Sequence, residues 1–519
     1  MNSNPLVLTF DVGSQSIRGL IFDTKGNLID KSKIEYPPLI SPKPGYWEVE
    51  PHVFYDAICE ASRNLYESNQ DKWDDIIGIS ITTIRDTPVF LDENYNPVRN
   101  AIVWADQRVA KCDYKFPLLA RIGMGITGLF PNAYAQAKQT RANWIIENEP
   151  ENWKKIKHYW LISTYLNYRL TGKGVDSPSY TLGHLPFDFK KKKWMGKHAI
   201  KYSIFNIEPE KLPPLVETGS IIGFINEETA KLSNMKMNWP LISSGSDKGC
   251  ETVGTGACKQ GFASISFGTA SSIQFTSKKY IEPELFFPAY PAVIPNYYNS
   301  EIQIYRGFWM ISWFKRQFAQ KESRRAYILD SSAEVLLNKS LKTIPPGCHG
   351  LIMHPFWGPM LRNPEARGSF IGFTDYHTKE HVYRAIIEGI GFELYNSLLK
   401  LEKKTKNKIH TVTVSGGGAQ DDEICQINAD IFGRTIKKIQ TYETSGLGAA
   451  IATCVALKVY PTFDEAIENM VRYEKDYTPD PATHELYDKL FNKIYKKVYP
   501  RLKKFYKEMP NIINSEIVE

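Results

Sequence analysis

At 519 residues the chain exceeds what a single hydrophobic core serves, so at least two domains are expected. Apolar residues make up 42% and charged residues 23%, a globular balance, and 64 basic against 57 acidic residues leave a small excess of +7. The cations are dispersed and no apolar run approaches the roughly 20 residues of a membrane span, so neither nucleic acid nor a membrane is an expected partner. Seven scattered cysteines without a C-x-x-C pair suit reduced thiols in the cytoplasm.

Leu6 to Phe10 is an apolar run that predicts a strand. It leads through Asp11-Val-Gly13-Ser14-Gln15-Ser16-Ile-Arg18 into a second run, Gly19 to Phe22, and the pair predicts a hairpin with a Gly/Ser-rich bend. Backbone N–H groups in such a bend can hold phosphate oxygens, with hydroxyls from Ser14 and Ser16 and a cation from Arg18. Asp11, at the strand end, can hold Mg²⁺ through water, because that ion keeps much of its hydration shell. An ordinary hairpin with a polar turn is the plainer alternative.

His52 to Asn69 reads as a helix, and Ile76 to Ile81 and Pro88 to Leu91 as strands. Between those strands stands Arg85-Asp86. A carboxylate that accepts from two vicinal hydroxyls, beside a guanidinium that donates, suits a polyhydroxy substrate; a surface ion pair is the alternative. Ala101 to Trp104 predicts another strand, ending at Asp106 and Arg108. Trp104 can cover the C–H face of a sugar or simply pack in a core. These polar groups fall at strand ends, where open α/β sheets bind ligands. Residues 109 to 172 look helical apart from a loop at Gly123 to Pro131, with helices over Gln136 to Glu149 and Trp160 to Leu170. Lys190 to Lys193 reads as a solvated turn. Trp239 to Gly245 predicts a strand that delivers Asp247 on a glycine-rich turn.

The second half echoes the first. Phe262 to Phe275 again reads as strand, glycine-hydroxyl turn, strand: Gly268-Thr269 falls where Gly13-Ser14 falls, and Ser271 where Ser16 falls. No Asp matches Asp11, since Phe267 lies near that place, so only the first turn is expected to hold the metal. Lys379 to Leu401 predicts a long amphipathic helix. His410 to Ser415 alternates as a strand and runs into Gly416-Gly417-Gly418-Ala419-Gln-Asp-Asp422 and a helix to Phe432. Glycine permits close backbone approach and the helix end presents free N–H groups, a nucleotide-binding arrangement that is neither G-x-G-x-x-G nor a P-loop. Gly446 to Ala450 opens a small-residue helix that can pack close to that loop. Leu486, Leu490, Ile494 and Val498 mark a basic amphipathic helix, expected to pack on its own protein and to be limited by Pro500.

Together these stretches resemble the FGGY family of carbohydrate kinases, within the actin/hexokinase/Hsp70-like ATPase superfamily. The motifs that carry the resemblance are Asp11 to Arg18, Asn100 to Trp104 with Arg108, Gly245-Ser-Asp247-Lys248, Ser266-Phe-Gly268-Thr269, and Ser415 to Asp422 continuing to Gly433. The resemblance implies an α/β fold of two ribonuclease H-like (actin-like ATPase) domains with the active site in an interdomain cleft. The implied domains are 1–253, with the sugar site and Asp247, and 254–485, with the nucleotide motifs; 486–519 would be a helical extension. ATP and Mg²⁺ are the implied cofactors, with Asp247 as general base toward a sugar or polyol hydroxyl. Arg85, Asp86, Trp104, Asp106, Asp247 and Lys248 would bind the substrate. Gly13, Ser14, Gln15, Ser16, Arg18, Gly268, Thr269, Gly417, Gly418, Ala419 and Asp422 would bind ATP, and Asp11 the metal. Family habit adds a homodimer or homotetramer.

Within that resemblance the substrate stays open. Arg85-Asp86 leans toward the Arg-Glu of glycerol kinases, whereas Trp104 to Arg108 leans toward ketose kinases. Lys248 departs from the usual Gln or Asn and can bind an anionic or strongly oxygenated substrate. The family's Gly-Glu-Arg-x-Pro segment is replaced by His354 to Pro364. The competing readings are an actin-like ATPase switch and a sugar-responsive regulator without kinase activity.

Overall fold

The computed structural model describes residues 5–112, 116–118, 121–122, 125, 130–284, 287–358 and 365–516. The expected loop at Gly123 to Pro131 and the segment His354 to Pro364 lie partly outside the described residues, although Phe130 and Pro131 already open the helix Phe130–Gln139. The chain forms two compact units. One comprises Met1–Gly256, Ser277–Asn299 and Glu443–Val471, the other Ala257–Thr276, Ser300–Tyr442 and Arg472–Glu519. The segments 277–299 and 443–471, expected with the second domain, thus lie with the first unit.

The first unit is built on a six-stranded sheet in the order Ile221–Phe224, Pro240–Ser246, Ile76–Thr83, Leu6–Val12, Ser16–Asp23, Leu28–Glu35. Leu6–Val12 runs parallel to Ile76–Thr83, which runs parallel to Pro240–Ser246, while the hairpin partner Ser16–Asp23 is antiparallel. The three parallel strands are buried almost throughout, as strands covered on both faces are. The parallel strands end together at Val12, Thr83 and Ser246, so their polar continuations emerge at one edge. Trp160 corrects the helical reading of this region: His158–Leu161 is a strand paired with Pro88–Leu91, and the helix begins only at Ile162. Cross-strand pairing of these β-favouring aromatics overrides the helical spacing. Similarly, Ala101–Ile102 is the whole of the expected Ala101 to Trp104 strand.

The second unit repeats the pattern. Six consecutive strands of its sheet run Tyr298–Ile304, Ser271–Ser277, Phe262–Phe267, Thr411–Ser415, Thr435–Ile439, Tyr473–Tyr477. A hairpin again feeds parallel neighbours, Phe262–Phe267 beside Thr411–Ser415 beside Thr435–Ile439. Lys379–Thr405, a helix of 27 residues, packs into its core with Ile386, Ile390, Leu394 and Leu398 fully buried.

The small-residue helix Thr444–Ala456 belongs to the first unit. It packs against the helix Asp247–Gly254 and the parallel strands. Glycine is required at the crossing: a Cβ on Gly254 would stand 1.9 Å from the Thr444 carbonyl oxygen, and one on Gly448 1.9 Å from that of Cys250.

The C-terminal helices also differ from expectation. Tyr487, Phe491 and Tyr495 are the buried row, one residue offset from the expected stripe, and Leu486 and Ile494 are exposed. The large aromatics fill the core beside Phe392, and their hydroxyls reach buried acids, Tyr487 to Glu388 at 2.7 Å and Tyr495 to Glu393 at 3.0 Å. Nor does Pro500 end the helix, which runs Lys496–Glu516 after a π-type turn at Phe491–Tyr495.

Gly448→Ala is expected to destabilise the protein by about 2 kcal/mol, because overpacking of up to ~3 kcal/mol outweighs the ~1 kcal/mol gained in helix propensity. Gly417→Ala, where an added Cβ meets nothing within 4 Å, should be close to neutral. Urea unfolding of the two variants checks the contrast.

Candidate active site

Asp247 is the first residue of a helix rather than part of a loose turn. The strand Pro240–Ser246 ends on Ser246, whose hydroxyl caps the helix by accepting from the Gly249 N–H at 3.3 Å. The Asp247 carboxylate accepts from the Lys248 N–H at 2.7 Å and faces the Arg85 Nε at 3.6 Å. Burial pushes its pKa up and Glu251 adds to that, while Arg85 and Lys248 oppose it; the net shift is upward. Arg85 is steadied by the Tyr290 ring, 5.3 Å from its guanidinium carbon. The Lys248 ammonium turns to Glu251, at 2.9 Å. Its charge is therefore matched within its own helix.

Asp86 sits in the left-handed region, φ 48°, and His184 grips it. The His184 N–H donates to Oδ1 at 3.0 Å and the ring Nδ1 lies 2.7 Å from Oδ2; the ring's Nε2 lies 3.2 Å from Gln139 Oε1. Only glycine fits at 183, where a Cβ would stand 2.4 Å from Asp86 Oδ1. Burial by itself would raise the Asp86 pKa, but His184 and then Arg141 outweigh it and hold the carboxyl below its usual range. Asp86 is thus an ionised acceptor at neutral pH.

Trp104 is partly exposed and donates from Nε1 to the Ser14 hydroxyl at 2.8 Å, which ties the expected sugar platform to the first glycine turn. Asp106 is placed differently from expectation. It is fully enclosed, with Arg108 donating to both oxygens at 2.8 Å and the Trp47 N–H to one at 2.7 Å. Arg108 also holds Glu48 at 2.8 Å and is stacked by Tyr46 and Trp144. Asp106 belongs to this brace beneath Trp104, because an acid with every oxygen taken has little to offer a ligand.

The first glycine turn is a tight hairpin in which Asp11 pairs across with Arg18, and the Gly13 N–H donates to the Ser16 carbonyl at 3.1 Å. Gln15 is exposed at the tip, and Gly13 and Ser14 are half-buried. Arg18 lies between Asp11 at 3.7 Å and Glu443 at 3.6 Å. Burial raises the Asp11 pKa to about 7; Arg18 opposes, and Asp247, Glu443 and Glu251 add to the rise. A desolvated carboxylate among three other acids fits a hydrated divalent cation held jointly with phosphate. Among the described residues there is no cluster of three His, Cys, Asp or Glu side chains that could hold a metal without such help.

The second unit carries the other glycine motifs. Gly268 and Thr269 form a turn whose carbonyls accept from the Phe308 N–H at 3.0 Å and the Trp309 N–H at 3.2 Å. Gly416 adopts φ 83° against the Phe267 backbone, and a Cβ on Gly418 would lie 2.3 Å from the Phe308 ring. Gly417 is open and Ala419 buried. Asp421, not Asp422, caps the following helix, accepting from the N–H groups of Glu423 and Ile424. Asp422 points the other way. Lys475 and Tyr477 each donate to it at 2.5 Å and Lys438 at 3.3 Å, which holds its carboxyl far below the usual range.

Sequence reasoning missed His184, Tyr290, Glu251 and Glu443. The Gly-His pair at 183–184 in a polar connector and an acid directly preceding the Thr444 helix were the available signals.

Two sheets of one topology, each opening with a glycine-turn hairpin, define a two-domain ATPase-type fold with an acid at one strand end. The chain belongs to the FGGY family of carbohydrate kinases: residues 6–254 match the family's N-terminal domain and residues 263–457 its C-terminal domain. It is 28% identical to the xylulose kinase of Lactococcus lactis over 93% of this chain and 94% of that one. It is 27% identical to the gluconokinase of Bacillus licheniformis, over 93% of each. Among solved structures, a ligand-bound xylulose kinase from Lactobacillus acidophilus shares the fold with a TM-score of 0.82 at 24% identity, covering 97% of this chain and 100% of that one. The glycerol kinase of Plasmodium falciparum, solved with ADP, matches at 0.75 and 20% identity, covering 95% and 98%. The protein is accordingly a carbohydrate kinase that uses ATP. Among the described residues no helix is long and apolar enough to cross a membrane.

The raised pKa of Asp11 has a sign that can be checked. Its proton is retained in the folded state up to about pH 7 but lost from the unfolded chain near the ordinary Asp value of 3.8, so its contribution to stability falls as pH rises between them. Asp11→Asn should therefore raise the Tm of the ligand-free protein by a margin that grows from pH 4 to about pH 7 and then levels. Mg²⁺ with ATP at pH 8 should stabilise the wild type more than this variant. Both are read by calorimetry.

Proposed function

We propose that the protein transfers the γ-phosphoryl group of ATP to a hydroxyl of a neutral open-chain sugar or polyol, with Asp247 as general base. The carrying observation is the Asp247 carboxylate itself: half-buried, raised in pKa, at the end of a parallel strand and faced by Arg85. Asp247 takes the hydroxyl proton as that oxygen bonds to the γ-phosphorus and the bond to the ADP oxygen breaks. Arg85 orients Asp247, and Asp86, kept ionised by His184, accepts from neighbouring substrate hydroxyls. Trp104 offers an apolar ring to the C–H face of the substrate. Gly13, Ser14 and Ser16 with Arg18 on one unit, and Gly268, Thr269 and the Gly417–Ala419 run on the other, supply N–H groups and charge to the nucleotide. Asp11 would hold Mg²⁺ through water, and the ion would neutralise phosphate charge.

The relatives divide on substrate charge, since gluconate carries a carboxylate and xylulose does not. The cations nearest the base support the neutral class: Arg85 faces Asp247 and Lys248 is held by Glu251. An added carboxylate would face these acids with little charge in reserve. ADP release measured over pentuloses, hexuloses, polyols and aldonates should show turnover with a neutral ketose or polyol. Preference for gluconate would overturn the substrate class, and ATP turnover indifferent to every sugar would overturn the transfer itself.

Asp247→Asn should keep ATP affinity by calorimetry yet lower kcat by ~10²–10⁴-fold, the range of a general base. The acid limb of kcat/KM should lie above the ordinary Asp value of 3.8, because burial raises this group. Arg85→Gln removes the largest opposing charge and should move that limb further toward neutral pH; a limb that stays put would exclude Asp247 as the titrating base.

A further inference from the structure

The helix Lys496–Glu516 carries an apolar face about half of which stands in solvent. Tyr506 turns inward, while Phe505, Met509, Ile512 and Ile513 are 55%, 47%, 58% and 55% exposed. Their spacing places all four on one side of a helix. Beside that side stand Lys497, Arg501 and Lys504, all exposed, with Lys507 beyond them. Residues 496–516 hold six cations and two acids. Two of the cations meet acids at the surface, Lys503 with Glu365 at 3.3 Å and Lys504 with Glu508 at 3.9 Å. Pairs of this kind in water neutralise little of the local field.

We propose that this face docks on an anionic lipid surface, the helix lying in the headgroup plane with Phe505, Met509, Ile512 and Ile513 inserted. An amphipathic helix with one apolar side and flanking cations has the composition of a peripheral membrane contact. Two features favour lipid over a second copy of the chain. Four side chains about half exposed present roughly 400 Å², against the ~800 Å² per partner of a stable interface. A second copy would also bring a second row of Lys497, Arg501 and Lys504 against the first, whereas phosphatidylserine supplies the opposite charge. Insertion needs no spanning segment.

The test is sedimentation of the full-length protein with vesicles of phosphatidylcholine alone or mixed with phosphatidylserine. Wild type should sediment with the anionic vesicles, stay in solution with the neutral ones, and be released by salt. The double variant Phe505→Ser/Ile512→Ser, both positions being exposed, should lose about tenfold or more in partitioning. Arg501→Glu/Lys504→Glu should lose a similar factor, and neither double variant should change kinase turnover in solution. Wild type left in solution with anionic vesicles would overturn the proposal, as would binding undiminished by the serine variant. Sedimentation equilibrium showing a dimer that the serine variant splits would assign the face to a second copy instead.

Discussion

A backbone-to-backbone crossing of two helices organises the catalytic half of this kinase. The helix Thr444–Ala456 meets the helix Asp247–Gly254 where Gly448 and Gly254 leave no room for a side chain. From that contact two consequences run. The Ser445 hydroxyl donates to the Asp247 carbonyl at 3.2 Å, so the first turn of the Asp247 helix is held from outside. Glu443, directly before the crossing helix, reaches Arg18 and Lys31 on the hairpin. One segment, some two hundred residues later in the chain than the base, thus braces both the acid and the phosphate turn. The rigidity is cheap in side-chain entropy, because the contact is made by Gly, Ala, Ser and Thr.

The charges in this unit are arranged around a shortage of cations. Asp247, Glu443 and Glu251 all act on the Asp11 carboxyl, and Arg18 is its main opposing charge. Arg85 and Lys248 perform the same duty for Asp247. The arrangement leaves the ligand-free site short of positive charge, which is the condition under which a divalent cation and a donor-rich substrate bind with least competition. Asp86 stands apart: it already has its partner in His184, so it stays ionised without a ligand.

The parts of this architecture that were legible in the sequence are those set by local chemistry. The two glycine-turn hairpins, the strand delivering Asp247, the Gly416–Ala419 loop and the length of the Lys379 helix follow from apolar runs and turn residues within a few positions. Contacts that depend on the tertiary course of the chain were not legible. His184 meets Asp86 from 98 positions away, and nothing local marks a histidine as the partner of a distant acid. The packing of Thr444–Ala456 on the Asp247 helix was not legible because its small residues fit any close neighbour. Asp106 read as a ligand by its place at a strand end, yet Arg108 two residues on, together with Glu48, closes a brace around it. Asp422 read as an ATP ligand by its place after the glycine run, yet Lys475, Tyr477 and Lys438, which take it up, lie on strands that nothing local connects to it.

The two sheets share a topology but not a chemistry, and the turns explain the difference. Counting back two residues from the turn glycine reaches Asp11 in the first hairpin and Ser266 in the second. In the first, the acid lies among other acids and needs a cation. In the second, Ser266 and Phe267 are buried and the turn carbonyls accept from the Phe308 and Trp309 N–H groups and from the Ser271 hydroxyl. A turn without its own charge suits the diffuse negative charge of a nucleotide, which backbone N–H groups can meet without attracting a metal away from its place. Under the proposed reaction the first unit therefore holds every group that titrates or binds metal, and the second contributes neutral donors.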